Sequence, residues 1–136
     1  MTVQVYGGPL LRTWFDRDLT LAGKVIVNVE GKLVPKLWYH DGVLMRIPNL
    51  AIHLAGGDFN PDKELELKPI IGMTVVNNLM KDDKGNADKH PSALMNAIAK
   101  DLKVKVADIH DFELNLVDTQ PGVLGGIYNE YVFAGR

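Results

Sequence analysis

The chain has no cysteine, a single serine and no long hydrophobic run, and each shortage removes a class of function. Without cysteine there is neither a disulfide nor a thiolate nucleophile or ligand, which fits a reducing compartment. The lone serine, Ser92, follows Pro91 at a helix start, where first-turn polarity accounts for it. No Gly-x-Ser-x-Gly elbow exists, so serine and cysteine hydrolysis are both excluded. The longest apolar run, "PIIGMTVV", falls far short of the roughly twenty residues that a spanning helix needs. The start, "MTVQVYGGPLLR", lacks a basic segment followed by an apolar one. Lys and Arg number 15 against 17 Asp and Glu, a formal net charge of -2, and the two signs are interspersed. No basic cluster of the kind that phosphate backbones or anionic lipids select is present, so the expected partners include neither nucleic acid nor membrane.

The remainder describes an ordinary globular chain. It has 136 residues, 46% of them hydrophobic and 24% charged. A chain of this length buries roughly two thirds of its unfolded surface, enough for one core without staples. No Ser/Thr/Gly linker or internal repeat divides it, and a single domain over residues 1–136 is expected.

Periodicity separates a β-rich first half from a mixed second half. "LAGKVIVNVEGKLVPKLWYHDGVLMRI" carries β-branched runs punctuated by Gly31-Lys32 and His40-Asp41-Gly42, and Asp-Gly between apolar runs is a hairpin signal. Strands are predicted near Val3 to Tyr6, Leu21 to Glu30, Leu33 to Tyr39, Val43 to Arg46 and Leu50 to Leu54. Pro35 cannot donate to a ladder and assigns its strand to an edge or a bulge. "LAGGDFNPDKE" and "DDKGNADKH" read as loops. "HPSALMNAIAKDLK" reads as a helix: Pro91 suits the first helical position, and Leu94, Ile98 and Leu102 form one apolar stripe. "HDFELNLV" alternates, with Phe112, Leu114 and Leu116 on one face and Glu113 and Asn115 on the other. Ile127, Tyr128, Tyr131, Val132 and Phe133 also read as strand-like. The fold class is α+β, a twisted mainly antiparallel sheet or part-barrel with one or two covering helices.

Candidate chemistry is sparse. "GVLGG" lacks the preceding strand and following helix of a phosphate cradle and reads as a turn. Four histidines and seventeen carboxylates invite a metal, yet no His-x-x-x-His or His-Glu-x-x-His spacing occurs. His40-Asp41 falls in a turn, His110-Asp111 places neighbours on opposite sheet faces, and His90 falls at a helix start, so exposed histidines are expected at all three. In "WFDRD", Asp16 and Asp18 share a strand face about 7 Å apart, opposite Arg17. They could hold an ion or serve as acid and base, although a solvated or ion-paired edge is the commoner arrangement. His53 lies in "NLAIHLAGG", where Leu50, Ile52 and Leu54 take one strand face and Ala51 and His53 the other, before a glycine loop. By spacing alone it reads as a surface histidine.

Longer strings add to this. "VQVYGGPLLRTWFDRDLTLAGKVIV", "RIPNLAIHL", "ELELKPIIG" and "DFELNLVDTQPGVLGGIYNEYVFAGR" resemble, in order and over essentially all 136 residues, consecutive signatures of the aspartyl aminopeptidase family, which includes vacuolar aminopeptidase I. Trp-Phe-Asp-Arg-Asp-Leu, Asp-Thr-Gln-Pro and Leu-Gly-Gly are unusual strings, and their joint presence is specific. The chain departs from the pattern at Pro9, where the family usually has a third glycine, and in a short loop from Ala55 to Lys63.

The resemblance implies an α/β metallopeptidase catalytic domain interrupted by an inserted dimerisation domain, and this chain resembles the insert. On that basis a His-x-Asp metal motif precedes Val3. Beyond Arg136 follow a Leu-Asp-Asn string, whose Asp bridges two metal ions, and the remaining ligands. The chain is then a piece cut where the insert leaves the catalytic domain, with no catalytic residue and no metal ligand of its own. The parent implied is a cytoplasmic dinuclear zinc aminopeptidase that removes N-terminal residues, acidic ones among those expected, from peptides. Its partners are the chain's own catalytic domain, further copies in a dimer-based dodecamer, and peptide substrates. The isolated chain is expected to be inactive. The family's Leu-Ala-Ile-His-Leu histidine matches His53, which implies a substrate-binding group supplied to a neighbouring subunit's active site. The competing expectation is a free-standing β-rich binding module without catalytic activity.

Overall fold

A computed structural model of the chain describes residues 3–55, 58–79 and 90–134. In chain order the elements are a 3-10 turn at Leu11–Trp14, strands β1 (Leu19–Val29) and β2 (Lys32–Tyr39), helices α1 (Ile52–Ala55), α2 (Thr74–Leu79) and α3 (Ser92–Leu102), a second 3-10 turn at Val106–Asp108, and strands β3 (Ile109–Asp118), β4 (Val123–Gly125) and β5 (Tyr131–Phe133). They form two compact units. One gathers Met1–Leu19, Val43–Ile71 and Asp118–Arg136; the other gathers Thr20–Gly42 and Gly72–Val117. The α+β class and the antiparallel pairing read from the sequence are both present.

The second unit is built on a three-stranded sheet of order β2-β1-β3. β1 and β2 pair antiparallel from Ala22↔Tyr39 to Val29↔Lys32. The two residues between them, Glu30 and Gly31, both take positive φ, at 51° and 82°. That pair of left-handed residues matches the right-handed strand twist, and Asn28 Oδ1 accepts the Gly31 N–H at 2.9 Å to hold it. Pro35 faces Ile26 on β2, which is an edge strand among the described residues, as a missing N–H requires. Gly23 is demanded by β3. A Cβ there would overlap the Glu113 carbonyl oxygen and stand 2.9 Å from Leu114 Cα.

One sheet face is covered by α3. Val25, Val27 and Trp38 are buried from the strands, and Leu94, Ile98 and Ala99 from the helix. Each large side chain so buried contributes about 1.5–3 kcal/mol. The predicted helix is present, with one shift: Pro91 is its N-cap, with ψ 126°, and its carbonyl accepts from Leu94 and Met95. Lys103 closes it in the left-handed conformation, donating back to Ala99 and Lys100. Phe112, Leu114 and Leu116 alternate with exposed Glu113 and Asn115 along β3 as read. α2 begins at the end of the apolar run and continues past it, where no element was expected.

The first unit departs more from expectation. Residues 3–6 form no strand. The Val43 to Arg46 strand is reduced to isolated bridges, Leu19↔Met45 and Arg46↔Ile70, beside Phe15↔Ile47. Asp41-Gly42 makes no hairpin, because Leu44 and Met45 donate to Leu19 O instead. Phe15, Leu19, Met45, Ile47 and Leu67 are its buried core, with Phe59 edge-on to Phe15 at 5.2 Å. β4 and β5 pair antiparallel from Val123↔Phe133 to Gly125↔Tyr131. Ile127 and Tyr128 lie in their connecting turn rather than in a strand, because Gly126 (φ 96°) and Asn129 (φ 58°) reverse the chain there.

Candidate functional site

His53 is exposed, but on helix α1 rather than on a strand. Five alternating residues are too few to separate the two periods, and local side-chain bonding decides the outcome. Asn49 Oδ1 accepts the Leu50 N–H at 2.9 Å and Leu54 N–H reaches Ala51 O at 2.8 Å, curling the backbone into a turn. Leu50 and Leu54, read as sharing one strand face, are 61% and 68% exposed. The imidazole therefore stands on a surface turn between two bare leucines.

The ground under that turn is built by the "WFDRD" string. Asp16 adopts φ 56°, a left-handed conformation that Asp tolerates better than most residues. Its N–H donates to Ile47 O at 2.9 Å, and its Oδ1 accepts the Asn49 N–H at 3.0 Å. Asp18 is paired with Arg46. Arg17 donates through Nε to Asp118 Oδ2 at 2.8 Å, and Nη2 reaches the same oxygen. Asp118 Oδ1 takes the Gln120 N–H at 2.9 Å, while Thr119 donates to Asp18 O through its N–H at 3.1 Å and its Oγ1 at 2.9 Å. Two strings a hundred residues apart, "WFDRD" and "DTQP", thus form one network with "RIPN". Asp16 and Asp18 share no strand face: Asp16 accepts from the Asn49 N–H, and Asp18 pairs with Arg46.

A second polar cluster lies in the other unit. Asp101 at the end of α3 accepts from Trp38 Nε1 at 3.0 Å, and its Oδ2 is 2.8 Å from His40 Nδ1. Partial burial pushes the Asp101 carboxyl up, but the bonds from His40 and Trp38 and the positive charges of His40 and Lys100 outweigh it and hold it below the usual range. His40 is thus half-buried against Asp101, not the exposed histidine expected. His110 and His90 are exposed as read, and the His90 ring lies tilted against Phe112 with centroids 4.7 Å apart.

Among the described residues, no three His, Asp or Glu side chains come together as a set that could hold a metal ion. No described helix is long and apolar enough to cross a membrane. Sequence reading missed Arg46, Asn49 and Asp101. Each acts through a partner far along the chain, which no local period encodes; for Arg46 and Asn49 the only signal was their place inside a quoted string.

Known proteins resemble the chain over its whole length. The model of the aminopeptidase I zinc metalloprotease family, M18, matches residues 1–136. Aspartyl aminopeptidase 1 of Schizosaccharomyces pombe is 43% identical over 146 residues, covering 98% of this chain and 30% of its own. Among solved structures, Chaetomium thermophilum mApe1 superposes with a TM-score of 0.78 at 36% identity, over 96% of this chain and 30% of that one. The Saccharomyces cerevisiae mApe1 dodecamer gives 0.65 at 26% identity, over 93% of this chain and 26% of that one. The chain therefore spans about a third or less of these relatives. With the family model matched end to end, the chain belongs to the aminopeptidase I zinc metalloprotease family, M18.

Proposed function

We propose that this chain serves, as one domain, to oligomerise and complete the active site of a dinuclear zinc aminopeptidase, whose parent removes N-terminal residues, acidic ones among them, from peptides. The observation that carries the reading is His53 exposed between Leu50 and Leu54 on a pinned turn. Two leucines bare to solvent beside a neutral-pH donor are what a partner surface would bury. The β4–β5 hairpin adds to this: Leu124, Val132 and Tyr131 are 67%, 75% and 57% exposed, and two strands alone are marginal in water. The solved dodecamer of the yeast relative supports a homo-oligomer, and the family supports zinc.

In this reading the two zinc ions and their ligands belong to the catalytic domain, so the isolated chain neither turns over peptides nor holds stoichiometric zinc. Its partners are that catalytic domain, further copies of itself, and the peptide substrate, and it works in the cytoplasm. An imidazole on a held turn can donate to substrate or to a developing oxyanion in a neighbouring subunit. In the full-length parent, His53→Ala should leave zinc content and assembly intact while lowering turnover about 10²–10³-fold, the usual cost of one preorganised donor. Full activity in that variant would return His53 to a surface histidine.

A further inference from the structure

We infer that Asp16 is a positioning residue for His53, setting the place of the histidine-bearing turn by its two bonds to the segment Ile47–Asn49. The inference rests on the reading of His53 as a substrate-binding group. Helix α1 has four residues and an exposed histidine, and the structure gives it the Leu54-to-Ala51 bond as internal support. What lies below it is firmer. Ile47 and Phe15 are buried and bridged, and Asp16 follows Phe15 directly. The Asp16 N–H takes Ile47 O and its carboxylate takes the Asn49 N–H, so one residue brackets Pro48, which has no N–H to offer. Asn49 in turn accepts from Leu50 through its side chain, and His53 follows four positions after Asn49.

The backbone of Asp16 makes a clean test available. At φ 56° both glycine and asparagine are tolerated, so neither substitution forces the chain to refold around it. Asp16→Gly deletes the acceptor for Asn49 N–H, whereas Asp16→Asn keeps a side-chain carbonyl oxygen in its place. A displacement of the order of 1 Å at a binding group costs as much as a hundredfold in rate, so Asp16→Gly should lower kcat of the full-length enzyme roughly ten- to a hundredfold. Asp16→Asn should recover most of that loss.

The deciding measurement is a cycle with His53→Ala. A residue acting through His53 has nothing left to position once the imidazole is gone, so Asp16→Gly should lower kcat in the wild-type background and not further in the His53→Ala background. Equal losses in both backgrounds, or no loss in the first, would overturn the inference. If His53→Ala itself retains full activity, the function proposed above fails, and this inference is decided on the 136-residue chain alone. There, the nitrogen-15 amide resonances of Asn49, Leu50 and Leu54 and the His53 ring resonances should move in Asp16→Gly and hold their places in Asp16→Asn. Unmoved resonances in Asp16→Gly would overturn it.

Discussion

Replacing Arg17 by methionine strikes the bond that ties the "WFDRD" string to "DTQP". The Asp118 side chain is only 4% exposed, and Arg17 donates to its Oδ2 at 2.8 Å. Methionine keeps the aliphatic stem and removes the charge, leaving a carboxylate with the Gln120 N–H as its remaining described donor. Breaking a buried pair from one side costs about 3–5 kcal/mol, since the orphaned charge stays desolvated. Here the guanidinium side is 33% exposed, so water can follow the lost group, and the low end, about 3 kcal/mol, is expected. Urea unfolding followed by circular dichroism reads this as a lower midpoint at unchanged slope. The double variant Arg17→Met/Asp118→Asn removes the stranded charge and should recover about 1–2 kcal/mol of the loss. A single-variant cost below about 1 kcal/mol, the range of an exposed pair, would refute the buried-pair argument.

Three further outcomes follow from the same geometry. Gly23→Ala should cost at least about 4 kcal/mol or prevent folding, because its Cβ meets the Glu113 and Leu114 backbone and no side chain can swing away; a near-wild-type melting temperature would contradict the β1–β3 spacing. The Asp101 carboxyl is held below its usual value, so its contribution to stability is present above the unfolded-state pKa and is lost as the pH falls through the folded one. Asp101→Asn should therefore be less stable near neutral pH and lose less than wild type on acidification below about pH 4, and parallel acid-unfolding curves would count against the bond set with His40 and Trp38. Leu124→Asp, at a site 67% exposed, should shift the stability of the isolated chain by no more than about 0.5 kcal/mol while weakening its self-association in sedimentation; tighter association would sink the hairpin as a contact surface.

Where residues interact with near neighbours, the sequence was readable. The β1–β2 hairpin, the apolar stripe of α3 and the alternation along β3 each follow a period over eight residues or more, and all three are present. Shorter signals failed for a physical reason. Five alternating residues around His53 were bent into a helical turn by bonds from the Leu50 and Leu54 N–H groups to Asn49 Oδ1 and Ala51 O, and Val43 to Arg46 was shared out among single bridges. The ion pairs Arg17–Asp118 and Asp18–Arg46 span 101 and 28 positions, a separation at which no spacing rule applies. The role proposed for His53 comes from family resemblance and not from its local chemistry. Its exposure agrees with the surface reading from spacing, and its setting on a bracketed turn between exposed leucines is what supports the proposed role.

The most direct test of that role is complementation between subunits of the full-length enzyme. One subunit carries His53→Ala with its metal site intact; the other keeps His53 and has a metal ligand in its catalytic domain replaced. Each alone should be nearly inactive. Co-assembled, a metal-competent subunit can take His53 from its neighbour, so mixed oligomers should recover a substantial fraction of wild-type turnover, rising with the proportion of mixed contacts. If mixed oligomers form, as read by two affinity tags on one particle, and activity stays at the level of the separate variants, His53 does not act across a subunit boundary and the account of this domain is wrong.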